Sequence, residues 1–326
     1  MSDRPGLPER RRLELRADCE RCAGLCCAAP AFSVSADFAI SKPAGQPCPN
    51  LTAGFRCSIH DRLRPAGFGG CAAFDCFGAG QKVVQETFSG RDWRQQRELS
   101  APMFAAFAVM RQLHELLWYV VEALALSPSD PLPGELDKAF SDTERLTHSS
   151  PDELIGLDVD AHRQRVNGVL LRVSEQVRER AASSGPAGRR PVAARNDRRR
   201  ADLAGADLHG AGLAGADLHG ADLAGSDLHG ADLAGADLRG ADLAGADLAG
   251  ADLTGACLRG ALLIGADLRR AKLSYADLTG ADLRGALLAG TGLASAIFLT
   301  QAQLDSAKGD SRTSVPASLR RPPHWP

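Results

Sequence analysis

The chain has 326 residues, 44% of them hydrophobic and 24% charged, enough for two domains. Lys and Arg number 38 against 40 Asp and Glu, so the overall charge names no partner. The balance hides a split, because residues 201–300 hold 13 Asp against 6 Arg and Lys, a local net of −7 (6 − 13).

No apolar run reaches the roughly 18 residues of a membrane span, so no membrane contact is expected. The first stretch, 1–18, reads as a charged arm without the apolar centre of a secretory signal. The expected location is therefore the cytoplasm, where thiols stay reduced.

Residues 19–80 form a Cys-rich region. Eight of the nine cysteines fall in 19–76, spaced Cys19-x2-Cys22-x3-Cys26-Cys27, then Cys48, Cys57, Cys71 and Cys76. A disulfide framework of this density suits an exported protein, and eight unligated core thiols in so short a stretch would be too many. Metal is the expected use. A two-residue gap lets both thiolates of Cys19-x-x-Cys22 reach one ion. The adjacent Cys26 and Cys27 are expected to point in different directions and to serve different ions. Two four-thiolate zinc sites and an iron–sulfur cluster with spare ligands both remain open. His60, directly after Cys57-Ser58-Ile59, is either an extra nitrogen ligand or a bystander.

The segments CERCAGLCC, PCPNL and CSIHDRLRPAGFGGC resemble the zinc- or iron-chelating family with a Cys-x-x-Cys-x-x-x-Cys-Cys signature. Cys48-Pro49-Asn50-Leu51 and Cys57-Ser58-Ile59 match its later steps. His60 stands where that family often has Tyr, and the gap to Cys71 is longer than usual. The resemblance implies a metal ligand set drawn from Cys19, Cys22, Cys26, Cys27, Cys48, Cys57, Cys71 and Cys76, with zinc or iron as the cofactor.

Residues 81–182 read as a helical region packed with the Cys-rich part. From Leu99 to Leu126 apolar residues recur at three- and four-residue spacing, as in an amphipathic helix. Ser127-Pro128 ends it, and PSDPLPG follows as a turn. Another helix starts after Ser150-Pro151, and a longer one covers about 158–181, with Val166, Leu170, Val173 and Val177 on one side. His114 and His162 lie on helices and receive no role. Residues 183–200, rich in Ser, Gly, Pro and Arg, read as a flexible linker. Without an aromatic residue to stack on a base, nucleic-acid binding is not expected there.

From 201 the sequence repeats every five residues. Leu is central in 19 units from Leu203 to Leu293, and Phe298 follows in register. The residue two before it is small, and the residue two after it is Gly in 16 units. A period of five fits neither helix nor strand. It suits units that form the sides of a square, with Leu and Ala inward and Asp outward. The pattern Ala-Asp-Leu-x-Gly resembles the pentapeptide-repeat family. That resemblance implies a right-handed quadrilateral β-helix of about five coils over 201–300. Asp rows such as Asp202, Asp222 and Asp242 climb one face. His219, Arg239 and Arg259 form one positive column, and His209 and His229 another. Cys257 takes an Asp position and is expected to be an exposed thiol without a role.

Residues 301–326 leave the register and are expected to cap the stack. The last coils carry outward Leu262, Ile264, Leu287, Ile297 and Leu299, a surface that suits homodimerisation. The expected architecture is multidomain, a small, largely α-helical metal-binding domain followed by the β-helix. The expected function is a protein-binding scaffold with a zinc or iron site and an unknown protein partner on the β-helix faces. A first alternative is an iron–sulfur redox or sensor protein that docks its partner through the β-helix. A second, brought by the pentapeptide-repeat resemblance, is a DNA mimic that binds type II topoisomerases. No triad, phosphate loop or acid–base pair is present in the sequence, so the site residues are expected to bind metal rather than to catalyse.

Overall fold

The structure is a computed structural model, and it describes residues 12, 14–126, 128–129, 131–183 and 197–326. The arm expected at 1–18 lies outside the described residues except at 12 and 14–18. The linker expected at 183–200 lies outside them except at 183 and 197–200. The chain divides into two compact units, Met1–Val173 and Ser174–Pro326.

The first unit is helical. Its short helices α1 (Leu25–Ala28), α2 (Gly69–Ala72) and α3 (Ala79–Lys82) lie among the cysteine loops. The backbone of α3 continues as one wider turn over Val83–Thr87. Helix α4 (Ser100–Ala125) is the central rod. Met103, Ala106, Met110, Leu113, Leu116 and Val120 on it have no exposed surface, because the three-and-four spacing gathers them on the inward side. Helices α5 (Leu132–Thr147) and α6 (Pro151–Ile155) pack against it. Helix α7 (Val159–Ser183) follows, and the boundary between the units falls inside it.

The sequence reading runs the turn PSDPLPG across residues 128–134, but α5 already starts at Leu132. Proline is tolerated in the first helical turn, where the amide it lacks has no helical acceptor, so Pro133 fits there. Leu136, Phe140, Thr143 and Thr147 then bury one stripe of the helix.

The cysteine loops rest on the same core. Leu25, Ala28, Leu51, Ala79 and Val83 belong to the cluster built on Met103, Phe107 and Met110, with Cys26, Cys27 and Cys76 packed against it. Polar ties fix the loops. Trp93 Nε1 donates to the Ala23 carbonyl at 2.9 Å. Arg94 Nη1 donates to the carbonyls of Thr52 and Ala53 at 2.7 and 2.9 Å, and its guanidinium lies over Phe55.

The second unit is a stack of 20-residue coils. Asp202 bridges Asp222, Asp207 bridges Asp227, Gly212 bridges Asp232 and Asp217 bridges Asp237, one parallel bridge for each side of a coil. The bridges are single residues, and no longer strand forms among the described residues. Leu203 N donates to Asp222 O at 2.8 Å, and Asp222 N donates back to Ala201 O at 2.9 Å. Each corner is a β-turn in which, for example, Ala206 N reaches Leu203 O at 3.0 Å. The third turn residue is left-handed, with φ between 61° and 71° at the repeat glycines from Gly205 to Gly290. Arg270 and Tyr275 adopt the same region at 60° and 58°. That explains the Gly in most units, since a Cβ is disfavoured there. Leu218 through Leu278 are buried to 2% or less, as expected for an inward row.

Stacking starts earlier than the Leu repeat. Asp197 bridges Asp217, and Arg198 takes the central position where later units have Leu. At the other end, Leu287 bridges Lys308 and Gly292 bridges Ser314, so pairing continues past the break in register. The extra residues are taken up by α8 (Gln301–Ser306), whose N-cap Thr300 and Gln303 form a capping box. Gln303 Nε2 donates to Leu278 O and Ala281 O at 2.8 and 2.9 Å, tying α8 to the last full coil.

Candidate metal-binding site

The sequence-predicted ligands come from separate loops, and the fold brings all eight to one cavity of about 570 Å³. Cys19, Cys22, Cys26, Cys27, Cys48, Cys57, Cys71 and Cys76 line it together with Phe32, Phe55 and Phe68. None is in a disulfide. His60 also lines the cavity.

Local structure aims the sulfurs. Gly24 caps α1 in the left-handed region at φ 63°, and its amide donates to the Cys22 sulfur. The Cys76 sulfur accepts from the amides of Gly78 and Gly80, and the Cys57 sulfur accepts from Ile59. Such N–H···S bonds favour the thiolate and hold its direction. A Cβ on Gly80 would sit 2.8 Å from Cys22 Cβ, so only glycine lets these two segments approach. Cys48 N donates to Cys27 O at 2.9 Å, and Leu51 bridges Cys57, which folds the 48–57 hairpin beside α1.

One expectation needs correction. Cys26 and Cys27 do not turn away from each other, because their sulfurs are 3.9 Å apart. Adjacent positions on a helix differ by about 100°, so both thiols can lean over one edge.

Thiol acidities diverge within the group. The hydrogen bond from Cys22 holds Cys19 down at about 6, against the cost of its partial burial. Cys22 itself is pushed up by the same bond and by burial. The Cys26–Cys27 hydrogen bond raises Cys26 and lowers Cys27. Burial takes Cys71 up to about 12 and also raises Cys57 and Cys76. With the side chains as they stand, no three donors among the described residues converge to ligand distances. The Cys22 thiol points instead to the Cys19 carbonyl at 3.5 Å. The donor set fits a thiophilic ion in kind and number.

Lys42 was missed in the sequence. It is buried to 4% exposure, and its ammonium donates to the carbonyls of Ala28, Pro43 and Gln46 at 3.0, 3.1 and 2.6 Å. A lysine amid a cysteine-rich loop was the available signal. Both helical histidines are held by hydrogen bonds. His114 Nδ1 pairs with Phe77 O at 2.7 Å and His162 Nε2 with Thr143 Oγ1 at 2.8 Å.

In the stacked unit the outward Asp residues have a local job. Asp222 Oδ1 accepts from Ala224 N at 3.0 Å and Asp247 Oδ1 from Ala249 N at 2.9 Å, closing a small ring at each corner. Much of the charge is also paired. Arg239, Arg269 and Arg284 each bind the Asp two residues before them. Arg269 holds Asp267 below the usual carboxylate range. His209 and His229 stack with ring centres 5.2 Å apart.

Two further expectations change here. Cys257 is buried to 1%, not exposed. Arg178 reaches over its column, with Nη1 3.4 Å from Gly255 O. Ile297 and Leu299 are likewise buried to 1%, because the chain turns back over them into α8. Leu287 is half-buried, and of the five outward apolar residues Leu262 and Ile264 are exposed.

A family model matches within the stacked unit. The family described as "Pentapeptide repeats" matches residues 201–240, 226–263 and 258–290, in eight copies. A Bacillus subtilis (strain 168) protein described as "Uncharacterized protein YybG" is 51% identical over 168 residues, 52% of this chain and 60% of that protein. Among solved structures, HetL of Nostoc sp. strain PCC 7120 is a pentapeptide repeat protein involved in heterocyst differentiation regulation. It is 36% identical over 35% of this chain and 56% of its own, with a TM-score of 0.25. A pentapeptide repeat protein from the Arabidopsis thaliana thylakoid lumen is 32% identical over 33% of this chain and 76% of its own, with a TM-score of 0.25. The chain thus spans about 60% of its Bacillus relative and about half of HetL. Taken with the 20-residue stacking period, the family match identifies residues 201–290 as a run of pentapeptide repeats.

Proposed function

We propose that this chain is a metal-binding module carried with a pentapeptide-repeat scaffold that binds another protein. The observation that supports the metal is the meeting of eight free thiols, from loops up to 57 positions apart (76 − 19), in one cavity. Eight reduced thiols also suit a reducing compartment such as the cytoplasm. Zinc held by four thiolates would contribute folding energy to loops that have little regular structure. An iron–sulfur cluster on the same ligands would give electron transfer or oxidant sensing, tuned by the N–H···S bonds from Gly24, Ile59, Gly78 and Gly80.

For the second unit, the regular stacked faces support macromolecular docking, as in other solenoids. The Arg partners of Asp237, Asp267 and Asp282 weigh against DNA mimicry, which needs unpaired negative rows.

The test is metal and sulfide content by mass spectrometry, with a visible spectrum, on protein purified without oxygen or added metal. Zinc without a visible band supports the structural reading. Iron with sulfide supports the redox reading. Folded protein with neither metal, and no uptake of added zinc or iron, overturns the metal proposal.

A further inference from the structure

We propose that the eight thiols make two abutting four-thiolate ion sites, Cys19/Cys22/Cys26/Cys76 and Cys27/Cys48/Cys57/Cys71, and that buried Lys42 is the fixed counter-charge of the second site alone. This rests on the metal reading above and adds the division of ligands and the role of Lys42.

The division starts from a second, smaller cavity. It measures about 20 Å³ and is lined by Cys19, Cys22, Cys26 and Cys76, with Gly80 and Phe107 closing it. That is about the room one small sphere needs, and none of the other four thiols lines it. The remaining thiols are gathered by different contacts. The backbone bond from Cys48 to Cys27 and the Leu51–Cys57 bridge place Cys27, Cys48 and Cys57 around one hairpin. Cys71 faces them from α2, which is anchored by Gly70 N on Asp37 O at 3.0 Å.

The two sets meet at Cys26 and Cys27, whose sulfurs are 3.9 Å apart, so the two sites abut there.

Lys42 breaks the symmetry. Two of the carbonyls that hold its ammonium lie beside thiols of the second set, Ala28 next to Cys27 and Gln46 two before Cys48. Its three ammonium protons are committed to the carbonyls of Ala28, Pro43 and Gln46. It therefore has none left for a sulfur, and acts on the site by charge alone. A divalent ion with four thiolates carries two net negative charges. Burying that is costly without a nearby positive charge, and Lys42 supplies one. A residue that tunes ligands in this way changes metal affinity by roughly 10–100-fold.

The experiment is a cobalt(II) titration of the full chain, stripped of metal under reducing conditions, followed by the thiolate-to-cobalt and d–d absorption. Two equivalents are expected. Cys19→Ser and Cys57→Ser should each perturb one equivalent and leave the other. Lys42→Gln, which keeps a donor but no charge, should weaken one phase by roughly tenfold or more. In the Cys57→Ser background it should change nothing. Loss of both equivalents in a single folded Cys→Ser variant would replace two sites by one cluster. An equal effect of Lys42→Gln on both phases, or none, would remove its assigned role. Native mass spectrometry of the unmutated chain during chelation needs no variant. A stable one-ion species is expected, and direct passage from two ions to none would overturn the division. Failure to bind cobalt or zinc at all would fell the metal reading itself, a different result from one shared cluster.

Discussion

Arg259 reaches across one coil to Asp277, with Nη1 3.0 Å from Oδ2, and the Asp277 side chain has no exposed surface. The same Asp277 carboxylate takes the amide and hydroxyl of Thr279 at 2.9 and 2.6 Å. Removing one partner of a buried pair strands the other charge, a loss of about 3–5 kcal/mol. Arg259→Met should therefore destabilise the repeat unit by about that amount in urea unfolding. Arg284→Met, at a more exposed pair, should cost less than about 1 kcal/mol. Equal losses at the two sites would mean that burial does not set the strength of these pairs.

Glycine is needed for two different reasons, and substitution separates them. Gly245 stands at φ 65° with open space where a Cβ would go. Gly245→Ala should cost about 1–2 kcal/mol of repeat stability through backbone strain alone and leave metal content unchanged. Gly80 is not left-handed, and its added Cβ would meet Cys22 Cβ at 2.8 Å. Gly80→Ala should lower metal content and leave the repeat unit's unfolding midpoint unaltered. Unchanged metal uptake in Gly80→Ala would show that Cys22 has room to move.

The repeat was legible because its information is local. A five-residue period with one Leu and one small residue announces its own inward row. The corner role of Asp was not legible. An Asp that accepts its own i+2 amide and an Asp that only meets water look the same in sequence. Ile297 and Leu299 looked outward because their burial depends on α8, which forms only after the register breaks at Phe298. Helix α5 was hidden by Pro131 and Pro133 at its start, although Leu136 and Phe140 carried the stripe. For the cysteines, the ligand candidates could be read from spacing, but their grouping could not. Cys26 meets Cys76, and Lys42 meets the Ala28 carbonyl beside Cys27, only through folding.

The first unit should lose stability as pH falls. Burial lowers His114 from its ordinary 6.5 to about 4, while its bond to Phe77 O works the other way. His162 is lowered too, mainly by burial. The folded state thus binds these protons less readily than the unfolded chain. Their contribution is complete above about pH 6.5 and is lost progressively as pH falls toward 4. Urea unfolding of the first unit between pH 7 and pH 4 should show this slope, and His114→Gln should flatten it. A His114 ring signal that titrates near 6.5 by NMR would contradict the burial effect.

Cys257 provides a test of how far the repeat consensus predicts stability. It occupies the outward position that is Asp in most units, so Cys257→Asp restores the pattern. Its surroundings are not those of other Asp positions. It bridges Asp237 below and Asp277 above, and it is buried to 1% beneath Arg178. Burial and the neighbouring Asp277 carboxylate already push its thiol up, which shows that the site disfavours negative charge. A new carboxylate there would meet both costs; Arg178 offsets part of them, and Arg259, already taken by Asp277, could add to that only by leaving its partner. Cys257→Asp should lower repeat stability by about 1–3 kcal/mol, despite improving the match to the repeat. Cys257→Ser should cost less, since a hydroxyl carries no charge. Thermal unfolding of the two variants decides the point. A gain in stability for Cys257→Asp would mean that the corner hydrogen bond outweighs charge burial at this coil.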